Sequence, residues 1–251
     1  MGQTSSRSGL SIPVRVLLLR STREDYLAFT WRHFAFGMAV VWLVGMGRYW
    51  DNPRVGVLQH LGAGSVVYVF ILAALLWAVC WPFRYEGWTY PRVLTLVVLT
   101  SPPAAIYAVP VERWFDVYRA GEINLWFVLA VSGWRMLIWG RFVLRMGIPV
   151  AAAVVGIFLP VILIISALTY LNLEHAVVWQ LMGGVKEPPT PADAAYNIVG
   201  FVAAISTYLI LPLLVLAYVG LYFGRAQLRT DQIAQLRAPT PQSDQPRKNA
   251  D

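Results

Sequence analysis

Arg135 is the residue of this 251-residue chain whose surroundings call for chemistry. It stands inside an apolar run, Asn124–Met146, and no Asp or Glu occurs in any of the chain's long apolar stretches. A guanidinium keeps its charge, carries five donors in a planar fork, and must find oxygen acceptors wherever it is buried. Pro102 and Pro103, in the preceding apolar stretch, supply them in principle. Each proline removes a backbone donor, which frees the carbonyls of Val98 and Leu99, and Thr100 and Ser101 add hydroxyls at the same place. Arg135, Thr100 and Ser101 therefore form a candidate site for a small anion or a lipid phosphate. In the competing reading Arg135 snorkels toward the headgroups beside Arg141 and Arg145. Pro160 and Pro212 fall at a similar depth in their own stretches, about 11 or 12 residues from one end, so a layer of weakened helix crosses the molecule.

A second cluster is GRYWDNPR, Gly47–Arg54. Arg48 and Asp51 are three residues apart and can pair across one turn, with Asn52–Pro53 making the turn itself. Asp51 and His60 are an acid and a base, but no nucleophile accompanies them, and a structural cap is the simpler role. Glu174 and His175 are adjacent and so point to different faces, unlike the i, i+4 pair that chelates one metal. With three histidines and one cysteine, Cys80, the chain offers no evident metal cluster, and no cofactor is expected. HExxH, GxSxG, Walker and GxGxxG patterns are absent, which points away from the common enzyme classes.

The elements that must position these residues are six apolar stretches: Tyr26–Gly47, Leu61–Pro82, Pro91–Pro110, Asn124–Met146, Pro149–Leu171 and Ala194–Phe223. Each is near the roughly 20 residues a helix needs to cross hydrocarbon. The cations between them are sorted. If both ends and the second and fourth connections share one side, that side carries 15 of the 20 Lys and Arg, leaving Arg48, Arg54, Arg113, Arg119 and Lys186 opposite. Basic connections resist translocation, so the rich side is expected in the cytoplasm. The predicted fold is all-α, a polytopic membrane bundle of six transmembrane helices with both termini cytoplasmic. Its divisions are a cytoplasmic N-terminal segment with an interfacial stretch (1–25), the transmembrane domain (26–223) and a disordered cytoplasmic tail (224–251).

Composition agrees, with 58% hydrophobic and 13% charged residues. The net charge of +7 is dispersed along helix ends, not gathered on one folded face, which favours anionic lipid headgroups on the cytoplasmic side over nucleic acid as partner. A membrane-protein partner is also compatible. Arginine outnumbers lysine 18 to 2, a bias of GC-rich bacterial genomes that points to a bacterial inner membrane. Pro13–Arg20 is expected to lie in the headgroup layer. Ser21 with Glu24 reads as a capping box that starts the first long helix near Thr22. Gly200 and Ala204 read as a close-packing pair in the last stretch.

The segment SPPAAIYAVP, Ser101–Pro110, followed by NLWFVLAVSGW, Asn124–Trp134, resembles the Yip-domain family of polytopic membrane proteins. The resemblance implies a multi-span helical layout. Eukaryotic members are associated with vesicle trafficking and membrane shaping through small GTPases, and the resemblance carries no catalytic residue. The expected function is a non-enzymatic scaffold, assembly or lipid-organising subunit of the inner membrane. The alternative is a transporter or channel for a small anion or lipid, using Arg135 and the proline-broken helices.

Overall fold

Proline placement and apolar run length decide where the helices of this chain start and stop. The computed structural model describes residues 11–48, 50, 56–84, 86–181 and 194–237. Every regular element among them is helical. The order is α1 (Ser11–Leu17), α2 (Arg23–Leu27), α3 (Trp31–Gly47), α4 (Val57–His60), α5 (Ala63–Cys80), α6 (Tyr90–Leu99), α7 (Val117–Arg145), α8 (Val150–Tyr170), α9 (Glu174–Leu181), α10 (Ala194–Ile205) and α11 (Leu211–Arg237). Among the described residues, four helical stretches are long and apolar enough to cross a membrane: Ala63–Phe83, Arg119–Arg145, Val150–Tyr170 and Tyr196–Gln227.

The centre of the bundle is α6. All residues from Val93 to Leu99 are buried, because α3 and α5 pack against it. On its other side α5 packs on α8, and α8 on α7 and α11. Lipid tails are as apolar as leucine, so such helices are held by close contact and dispersion more than by a hydrophobic driving force. Small residues make that contact possible. A Cβ on Gly37 of α3 would stand 2.6 Å from Val98 Cγ2 of α6, and one on Gly156 of α8 would stand 2.5 Å from Cys80 Sγ of α5. Large apolar side chains, among them Phe70, Phe158, Leu213, Leu216 and Phe223, stand exposed on α5, α8 and α11. Water would penalise such a surface, and acyl chains would not.

The three mid-depth proline sites behave differently. After Leu99 the chain leaves the α-helix at Thr100 and continues from Pro102 to Ala108 as a 3₁₀ helix. The third apolar stretch is thus two half-helices, not one kinked span. Pro102 and Pro103 remove two consecutive donors, and proline disfavours the α conformation in the residue before it. By contrast α8 runs unbroken through Pro160. The last stretch accommodates Pro212 with a π-turn, Ser206–Ile210, between α10 and α11, in which Leu211 N donates to Ser206 O.

The N-terminal segment departs from expectation. Thr22 and Asp25, not Ser21 and Glu24, form the capping box, and it starts only the short α2. A second cap at Thr30, reciprocated by His33 Nδ1 at 3.0 Å from Thr30 N, starts α3. Ser21 is buried because its hydroxyl meets that of Tyr26 and its carbonyl accepts from Arg141 Nε at 3.2 Å. Arg15 binds Asp25, which is 2% exposed, at 2.6 Å, and Tyr26 packs edge-on to Phe142 at 4.9 Å. Ile12 and Val16 of α1 are buried, with α1 packed on α6, so one face of this segment covers protein while Val14 and Leu18 remain outside.

Two further differences concern the last stretch. The sequence places a disordered tail from residue 224, whereas α11 continues as helix to Arg237. The run AQLRTDQIAQLR is rich in good helix formers and free of Gly and Pro, which accounts for the extension. A Cβ on Gly200 would meet the His175 ring of α9 at an ordinary 3.7 Å, and Ala204 is exposed, so the expected small-residue seam does not form.

Candidate anion site

Arg135 projects from α7 toward the break after α6, and its Nε donates to the Thr100 carbonyl at 3.2 Å. The reason that this oxygen is free lies in the prolines. In a continuing α-helix the Ala104 N–H would take it, but Ala104 donates instead to Ser101 O at 2.9 Å, closing a 3₁₀ turn. In that tighter register the donor for Thr100 would be Pro103, which has no N–H. The guanidinium occupies the vacancy. The sequence reading had other acceptors: the carbonyls of Val98 and Leu99 and the hydroxyls of Thr100 and Ser101. Val98 O is taken by Ser101 N at 3.2 Å, and the Thr100 hydroxyl is turned back to Val97 O at 2.7 Å. The residue is therefore Thr100, but the group is its carbonyl.

Beside this contact lies a cavity of about 210 Å³. Its polar wall consists of Arg48, Gln59, Ser65, Tyr68, Ser101 and Arg135, and valines of α3, α5 and α9 with small Gly and Ala residues line the rest. Among the described residues no carboxylate lines it. Arg48 comes from the C-terminal cap of α3, where its backbone N–H donates to Val44 O at 3.1 Å. Its guanidinium lies over the Tyr107 ring at 4.8 Å, while its Nε is buried with no hydrogen-bond partner. A buried charged donor left unsatisfied is costly, by about 1–3 kcal/mol or more, and marks a place where an acceptor is wanted. Gln59 spends its side-chain oxygen on Gly56 N at 2.7 Å, which leaves its amide N–H₂ as the donor end.

Two clusters singled out in the sequence thus meet, although 87 residues separate Arg48 from Arg135. Asp51 lies outside the described residues, as do Asn52 and Pro53. Tyr68, Ser65, Gln59 and Val177 were not foreseen. Their one legible signal was a serine and a tyrosine inside the otherwise apolar start of α5, which asks for polar company.

Two of the three histidines are engaged elsewhere. His33 caps α3, and His175 stacks on Tyr196 at 3.8 Å with its Nδ1 at 3.3 Å from Glu174 Oε1. Among the described residues no three His, Cys, Asp or Glu gather closely enough to hold a metal ion. Among the described residues the wall offers donors and positive charge but no carboxylate or histidine to act as a base, which suits binding. No family model, curated protein or solved structure matches this chain.

Proposed function

We propose that the chain is a non-enzymatic inner-membrane protein, six-spanning with both termini in the cytoplasm, that binds an anion between its helices as a lipid-organising or scaffold subunit. Four apolar helices long enough to cross a membrane support four of these crossings. The other two crossings would be α3, whose 17 residues reach about 26 Å, and the two half-helices of the third stretch. Ten α residues contribute about 15 Å and seven 3₁₀ residues about 14 Å, together close to the roughly 30 Å hydrocarbon core. In that orientation the cavity lies in the outer half of the bilayer, beneath α4 and α9. The multi-span layout is the one that the Yip-domain resemblance implies.

The observation that carries the binding role is the pair Arg48 and Arg135 on one cavity, with no carboxylate among its described lining residues. Two cations sharing a low-dielectric space repel each other, and an anion between them relieves both that repulsion and the unsatisfied Arg48 Nε. In detergent, the purified protein should unfold at a higher temperature with added anion or retained anionic lipid. Arg135→Gln should remove most of that gain. A parent protein indifferent to every anion and anionic lipid tested would sink the reading.

The transporter reading keeps one specific support, the helix break that lines the cavity, since discontinuous helices build substrate sites in many carriers. Reconstituted vesicles decide between the two roles. Anion flux through the parent, lost in Arg135→Ala, would assign transport; binding without flux would assign the lipid-organising role.

A further inference from the structure

The anion reading leaves open which anion, and the donors around the cavity narrow it. We propose that the Arg48–Arg135 cavity recognises a phosphate group, as free phosphate or as the headgroup phosphate of a lipid. The inference rests on the anion-binding reading and deepens it.

Three observations support the choice. The first is room: a water claims about 30 Å³ of liquid, so a cavity of about 210 Å³ holds a polyatomic oxyanion with waters to spare and is far larger than a halide needs. The second is the donor set. Two guanidiniums reach the cavity from different helices, α7 and the end of α3, and each is a planar fork matched to a pair of oxygens. A carboxylate has two oxygens and satisfies one fork well; a phosphate presents oxygens in several directions and can meet both. Neutral donors stand around them: the Tyr68, Ser65 and Ser101 hydroxyls and the Gln59 amide. The third is charge: two cations, with no acid among the described wall residues, match the one to two negative charges of a phosphate ester or inorganic phosphate. Arg135 is held at the cavity by its Thr100 contact, so part of this geometry exists before a ligand arrives.

The test uses the full chain purified in a neutral maltoside detergent. Thermal unfolding is followed while inorganic phosphate, chloride or acetate is added at matched ionic strength. Phosphate should raise the transition at concentrations at least tenfold below those at which chloride or acetate act. In parallel, the protein is placed in nanodiscs of phosphatidylcholine with or without phosphatidylglycerol. Stabilisation by phosphatidylglycerol alone assigns a lipid phosphodiester as source, and stabilisation by free phosphate alone assigns a soluble ligand. Arg48→Lys keeps the charge and removes the fork, so it should weaken phosphate at least tenfold and leave the chloride response unchanged. Tyr68→Phe and Ser101→Ala, which disturb packing little, should each weaken phosphate severalfold, and they carry the test if an arginine variant does not fold. Chloride or acetate acting as well as phosphate overturns this inference while the anion reading stands. Indifference of the parent to all of these anions and to phosphatidylglycerol overturns both.

Discussion

The helices α6 and α8 are both walled in by neighbours, and each meets proline part-way along its apolar stretch. In α8 a single Pro160 removes one donor, and the helix carries on from Val150 to Tyr170. Beyond α6 two consecutive prolines remove two donors, and the α-helix ends at Leu99. The consequence is chemical as well as geometric. The tighter turn after α6 leaves the Thr100 carbonyl without a backbone donor, and the half-buried Arg135 guanidinium takes it. One missing bond is absorbed by packing, whereas two in succession create an acceptor for a charge. Both helices are otherwise held alike, by a close approach at a single glycine.

That shared dependence on close approach gives the largest expected effects. Gly37→Leu and Gly156→Leu would drive side chains into Val98 and Cys80, and each should cost about 1–3 kcal/mol or more in a thermal or denaturant measurement. Gly133→Leu on α7, where an added Cβ meets nothing within 4 Å, should leave the transition where it is. Equal losses at all three positions would contradict the packing described for both buried helices.

Next in size is Pro103→Ala, which returns an N–H to compete for the Thr100 carbonyl. Untethered, Arg135 should bind the anion about tenfold more weakly, or about 1.4 kcal/mol, in the same thermal titration. An undiminished response would mean that the break is not what positions the guanidinium.

Thr100→Val comes third. It removes the hydroxyl bond to Val97 O, worth about 1 kcal/mol of stability, while the carbonyl that holds Arg135 is kept. Stability should fall slightly and anion response should not, and a lost response would reassign the role to the hydroxyl. The smallest change is expected of Pro160→Ala, less than about 1 kcal/mol with no effect on anion binding, because α8 already continues through the proline and does not line the cavity.

Run length and polarity made the helical class, the long apolar elements and the unusual position of Arg135 readable from residues alone. They could not reveal that α6 stops, because a proline pair in an apolar run reads equally as a kink and as an end, and burial on both sides decides. Nor could they join Arg48 to Arg135. Their meeting on one cavity needs α3, α6 and α7 to converge at one break, a property of packing that no local pattern encodes. The N-terminal box was misassigned for a related reason: Ser21, Thr22, Glu24 and Asp25 offer two overlapping capping patterns, and the ion pair of Asp25 with Arg15 selects one.

The latch formed by Ser21 and Arg141 sets an order of events during synthesis. The carbonyl of Ser21 and the guanidinium from which it accepts are 120 residues apart, so this segment cannot reach its final position until α7 has been made. Until then Arg15 and Asp25 can already neutralise each other locally, since only ten residues separate them. The docking of this segment therefore reports that α7 has arrived.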